Sequence, residues 1–117
     1  IKSYVLLNEF FSAVVDVFKP EWVGMIPKNS RLKHGAGLVA MGFVMEYLYS
    51  NGARTKEDFI PGLETLNQYT SWTSGTWNFN ITDIRPWNGI QNTPTDTDIL
   101  ANYLVRSLKK ALRKQAV

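Results

Sequence analysis

The stretch Ser30 to Gly52, "SRLKHGAGLVAMGFVMEYLYSNG", constrains the fold more than any other part of the chain. Its apolar residues do not keep to one side. Leu38, Met41, Met45 and Leu48 make one helical stripe, and Val39, Phe43 and Tyr47 widen it. A helix that is apolar nearly all round belongs inside a molecule, so Leu32 to Ser50 is expected to be the central, most buried helix. Ser30 is its expected N-cap, and Asn51-Gly52 its stop, because glycine readily takes the left-handed conformation at a helix end. Glycine in a helix interior costs roughly 1 kcal/mol against alanine. Gly35, Gly37 and Gly42, with Ala36, are expected to offset that cost by letting another segment approach the backbone. At 117 residues and 44% hydrophobic, the chain can bury one core and is read as a single domain over 1–117.

The other elements follow from periodicity and punctuation. "KSYVLLNEFFSAVVDVFK" sets Leu7, Phe10, Phe11, Val14 and Phe18 at spacings of three and four, an amphipathic helix that Pro20 is expected to end. "PEWVGMIPKNS" reads as a loop anchored by Trp22. Thr55 with Asp58 forms a capping box for a short helix, expected to break at Pro61-Gly62. From Tyr69 to Gln91 the helical signal disappears. There "TWNFNI" puts Trp77, Phe79 and Ile81 on one side, as a short strand or an extended loop over the core. The last helix, "NTPTDTDILANYLVRSLKKALRK", has Thr93 as N-cap, Pro94 at its first position and Asp96 three residues after the cap. The expected fold is mainly α: a small domain of three to five helices, a long aromatic-rich loop and at most one short β-hairpin.

Several kinds of chemistry find no support. The chain has no cysteine and one histidine, which removes disulfides, cysteine-ligated zinc and His-rich metal sites. "GAGLVAMG" lies inside a helix without the spacing or preceding strand of a phosphate loop, and no Gly-x-Ser-x-Gly elbow is present. The acids do not cluster in a way that suggests two-carboxylate hydrolysis. No catalytic residue, metal or organic cofactor is expected. The apolar run from Gly35 to Val44 is about half of a bilayer span, so no membrane partner is expected, and with no signal-peptide pattern the chain reads as cytoplasmic.

Three features carry a possible function. Residues 1–105 hold eight Lys/Arg against ten Asp/Glu, so the net charge of +3 comes from Arg106, Lys109, Lys110, Arg113 and Lys114. These share the arc opposite the Leu stripe of the last helix. They suit phosphate neutralisation, or simply a solvated helix C-terminus. Arg31, Lys33 and His34 sit at the mouth of the central helix, where they could present donors to an anion; a structural His34 is the plainer reading. "WNFNITDIRPWNGIQNTPTD" interleaves amides and Arg85 with aromatics, which suits base or nucleotide contact. More often such a loop fills the core with its tryptophans and bonds its own backbone.

Two of these stretches, "SRLKHGAGLVAMGFVME" and "IQNTPTDTDILANYLVRSL", with a tryptophan-bearing loop between them, resemble the C-terminal region of DGQHR-domain proteins. These are relatives of the DndB protein associated with DNA sulfur modification, and the resemblance spans about residues 5–112. The Asp-Gly-Gln-His-Arg motif itself is absent from this chain, and in the family it belongs to an upstream, nuclease-related part. With Ile1 rather than Met at the start, the chain is expected to be the C-terminal fragment of a longer protein. The resemblance implies a bacterial or mobile-element protein tied to DNA modification or phage defence. Its matching positions are His34, Gln91, Asn92, Thr93 and Asp96.

The expected function is therefore a non-catalytic accessory module of such a protein, with DNA as partner through Arg31, Lys33, Arg85 and the last helix. One alternative is an interaction module that packs on its own N-terminal domain or in a homo-oligomer, using the Trp-rich loop. Another is a fragment of a nucleotide-using or nuclease-like enzyme, which needs a cleft where His34 faces Asp83 or Asp96.

Overall fold

The computed structural model describes residues 3–116. Ile1, Lys2 and Val117, the ends of the expected single domain, lie outside the described residues. Five α-helices are present: α1 (Ser3–Val17), α2 (Lys19–Trp22), α3 (Gly35–Ser50), α4 (Lys56–Leu66) and α5 (Pro94–Ala116). One antiparallel hairpin, β1 (Thr76–Asn80) and β2 (Asp83–Pro86), stands between α4 and α5. The mainly helical fold with one short hairpin is as expected. α1 packs on α4, α4 on α5, and α5 on α3, while β1 lies against α5.

Proline behaves differently from expectation at two places. α1 ends at Val17, and Pro20 sits in the first turn of α2 rather than closing α1. A first-turn residue has no intrahelical acceptor for its N–H, so proline loses nothing there. Phe18, at the break, is fully buried edge-on to Trp72. α4 starts at the expected Thr55–Asp58 capping box but runs through Pro61 to Leu66. Pro61 is on the exposed side, and so is Glu57, whose carbonyl loses its partner. Burial of Phe59, Leu63 and Leu66 holds the helix together across that gap. A 3-10 turn, Asn67–Tyr69, then tightens its end.

The hairpin face against α5 is aromatic. Trp77 and Phe79 stack at 5.9 Å, and both meet the Tyr103 ring edge-on. Ile81 does not join them; it is 96% exposed. The Asn80 side-chain oxygen accepts from both the Thr82 N–H and its hydroxyl, each at 2.9 Å, and this turn throws Ile81 out at the tip.

α3 departs most from expectation. It starts at Gly35, and Ser30 is not its cap: the buried Ser30 hydroxyl donates to the Glu21 carbonyl at 2.7 Å. Only one side of α3 is buried, through Ala36, Gly37, Ala40, Met41, Val44 and Leu48. Leu38, Val39 and Phe43 are 36%, 52% and 45% exposed. The small residues face inward because the neighbouring chain comes very close. A Cβ on Gly37 would fall on the Arg31 carbonyl oxygen and lie 3.1 Å from Leu32 Cα; one on Gly35 would lie 2.8 Å from the Asn92 amide. Gly42 has nothing within 4 Å, so close packing explains two of the three glycines.

These two environments predict opposite outcomes. Gly37→Ala should destabilise by about 2–3 kcal/mol, because backbone must move to admit the methyl. Gly42→Ala should be neutral or stabilise by about 0.5–1 kcal/mol through helix propensity. Urea denaturation midpoints of the two variants check both.

Candidate nucleic-acid interface

The basic mouth of α3 is spent on the fold. The Arg31 guanidinium donates to the Pro27 and Asn88 carbonyls at 3.1 and 3.0 Å and lies over the Trp87 ring. Lys33 Nζ donates to the Met25 carbonyl at 2.8 Å and covers the Trp22 ring. His34 is the true N-cap of α3: its Nδ1 accepts from the Ala36 N–H at 3.4 Å. A ring that accepts at Nδ1 must be neutral there. Partial burial, then the nearby Arg31 charge, pushes the imidazole below its ordinary 6.5. The three groups tie loops to the start of α3, and of their donors the buried Arg31 Nε has no hydrogen-bond partner.

Arg85 is likewise taken up internally. It pairs with Asp83 at 2.8 Å and with Asp96 at 2.9 Å, and lies over the Phe79 ring. Asp96 also accepts from the Gln91 N–H at 2.9 Å, which, with Arg85 alongside, holds its carboxyl below the usual aspartate value. Thr93 caps α5 by accepting from the Asp96 N–H at 3.2 Å. The turn of Gln91, Asn92, Thr93 and Asp96 thus clamps the start of α5, with Asn92 against Gly35. The ion pairs among the described residues leave His34 out, and Asp83 and Asp96 both turn to Arg85. The cleft in which His34 would face either carboxylate is not formed.

The α5 cations are different. None of Arg106, Lys109, Lys110, Arg113 and Lys114 has a carboxylate within 4 Å among the described residues, and all five are exposed. Arg106 donates to the Phe79 carbonyl at 3.2 Å, and Lys109 lies over the Tyr47 ring. They stay apart from the mouth. α3 and α5 run side by side in the same direction, with Gly35 near Asn92 and Tyr47 near Lys109. From the cap at Thr93 to Lys109 is therefore about 24 Å along α5. The basic surface belongs to one helix and does not join Arg31 and Lys33.

A cleft of about 440 Å³ opens beside this helix, between Gln68–Ser71, β1 and α5, with Arg106 and Lys110 on its rim. Of the aromatics in the Trp-rich loop, Trp77 is fully buried and Phe79 is 6% exposed, while Trp87 is half-buried. Exposed apolar side chains stand on α3, at Leu38, Val39 and Phe43, and also on the hairpin, at Ile81 and Ile84. Hydrophobicity on all sides of α3 was a visible signal for the first of these, but which side stays open depends on tertiary packing. Among the described residues no three His, Cys, Asp or Glu come together in a way that could hold a metal ion, and no helix is long and apolar enough to cross a membrane. Compared with models of protein families, with curated proteins and with solved structures, the chain matches none.

The His34 cap has a measurable pH signature. In the unfolded chain the ring titrates near 6.5 and in the fold lower, so the stability it supports is full above 6.5 and falls as pH drops through the folded value. His34→Asn keeps an acceptor at the cap without a titrating group. Denaturation midpoints of the variant should be flatter than wild type between about pH 7 and 5, above the range where Asp58 and Asp96 protonate.

Proposed function

We propose that the chain is a non-catalytic helical module of a DNA-modification-associated protein of the DGQHR (DndB-like) type, working in the cytoplasm and contacting DNA through α5. The observation that carries this is the α5 face: five exposed cations on one arc, with no acidic partner among the described residues. Helix-dipole compensation explains cations in the last turn, but Arg106, Lys109 and Lys110 lie further back along the helix. Such an arc neutralises phosphates without reading sequence, and its affinity must fall steeply with salt. The resemblance of "SRLKHGAGLVAMGFVME" and "IQNTPTDTDILANYLVRSL" supplies the DNA-modification setting. Arg31, Lys33 and Arg85 are left out of this surface, since each binds carbonyls or carboxylates within the fold.

A second reading rests on the open face of α3, where Leu38, Val39 and Phe43 surround Gly42. An apolar face of this kind marks an interaction surface. The occupant in this reading is a second copy of the chain, with the two α3 helices approaching at Gly42, where no side chain holds the backbones apart. The two readings are compatible, because they use different faces.

Fluorescence anisotropy of a labelled duplex across a salt series tests the first. With all five cations engaged, the log–log slope should approach about −4.5, and Lys109→Glu with Lys110→Glu and Arg113→Glu should remove most of the binding. Absence of wild-type binding at low salt sinks it. For the second, sedimentation should show a wild-type dimer and a monomeric Phe43→Glu variant that keeps its helical circular dichroism. A wild-type monomer at high concentration refutes self-pairing.

A further inference from the structure

The cleft beside α5 has a composition that phosphate contact alone does not require. Its polar lining divides into groups already engaged and groups that can meet a ligand. The Tyr103 hydroxyl donates to the Tyr69 carbonyl at 2.6 Å, and the Ser71 hydroxyl to the Thr76 carbonyl at 2.8 Å. These bonds fix the 67–71 segment and β1 as the two walls. What they leave at the opening are the exposed residues Gln68 and Asn78, the latter alternating with the buried Trp77 and Phe79 along β1, and the two cations Arg106 and Lys110. Arg106 and Lys110 are four residues apart on α5 and so project together. Arg106 is also held in place by its bond to the Phe79 carbonyl. Tyr69, half-buried, adds aromatic surface, while the Phe79 ring is 6% exposed and packed against Trp77 and Tyr103.

We propose that this cleft takes one unstacked base of a single-stranded DNA, with the flanking phosphates on Arg106 and Lys110. A side-chain amide such as that of Gln68 can hydrogen-bond a base edge, and an aromatic ring such as that of Tyr69 gives a base a stacking surface. A base in an intact duplex is paired and stacked and cannot enter a pocket of this kind, so the cleft selects single strands. The volume, about 440 Å³, lies in the range typical of small-ligand sites. This inference rests on the reading of α5 as a DNA surface and adds to it a preference for strand state.

The test uses fluorescence polarisation with one labelled oligonucleotide, presented single-stranded and as a duplex. Wild type is compared with two double variants at exposed positions, Gln68→Ala with Asn78→Ala and Lys109→Glu with Arg113→Glu; circular dichroism checks that each folds. Wild type should bind the single strand about tenfold more tightly than the duplex, and the amide variant should lose about tenfold on the single strand only. The charge variant should weaken both. Equal affinity for the two forms, with no effect of the amide changes, overturns the cleft proposal while the charge variant still reports the α5 surface. Failure of wild type to bind either form overturns the cleft and the DNA reading together.

Discussion

The close approach of the Arg31–His34 turn to the first turn of α3 is the constraint on which the rest of the molecule depends. The Arg31 carbonyl occupies the space where any side chain at position 37 would stand. The same turn is held from outside: Arg31 N–H donates to the Trp72 carbonyl at 2.9 Å, the Arg31 guanidinium reaches the Pro27 and Asn88 carbonyls, and Lys33 reaches Met25. Three irregular segments, around Met25–Pro27, Trp72 and Asn88, therefore converge on one helix start. Most of these contacts are hydrogen bonds from a cation to a carbonyl, stronger than neutral ones, and they fasten the loops at Met25, Pro27 and Asn88 to the turn. A cluster of basic residues that looks like an anion site in the sequence is the knot that ties the loops to the helices.

That knot decides how charge is distributed. The cations on or beside the loops are neutralised or bonded internally, as Arg85 is between Asp83 and Asp96. The five on α5 are not. Because α3 and α5 run in the same direction, their capped starts lie together at one end and the uncompensated cations collect toward the other. The molecule is electrically lopsided for a topological reason, beyond what its net charge alone conveys.

Local signals in the sequence were read well where the physics is local. The Thr55–Asp58 capping box, the Asn51-Gly52 stop and the Thr93-Pro94 start each depend on a few adjacent residues, and each stands in the structure. Ser30 and His34 show where that ends. Both can cap, and the choice fell to His34 because Ser30 is committed to the Glu21 carbonyl, nine residues away. Pro61 was misread for a related reason, since burial of Phe59, Leu63 and Leu66 outweighs a local break. The hairpin's Ile81 followed the alternating pattern by one residue too many, because the Asn80 turn intervenes. The cleft was not legible at all. Gln68, Asn78 and Arg106 come from three separate segments with no pattern in common.

The two halves of the α5 arc face different neighbours, and this bears on how the faces could work together. Arg106, Lys110 and Lys114 follow one another at four-residue spacing, and the first two border the cleft. Lys109 and Arg113 form a second row, on the side where Lys109 covers Tyr47 of α3. Leu38, Val39 and Phe43 lie in the first half of α3, level with the start of α5 and short of this second row. The first row stays open whatever covers α3, because α5 itself stands between them. The cleft and the open face of α3 therefore stand on different sides of α5.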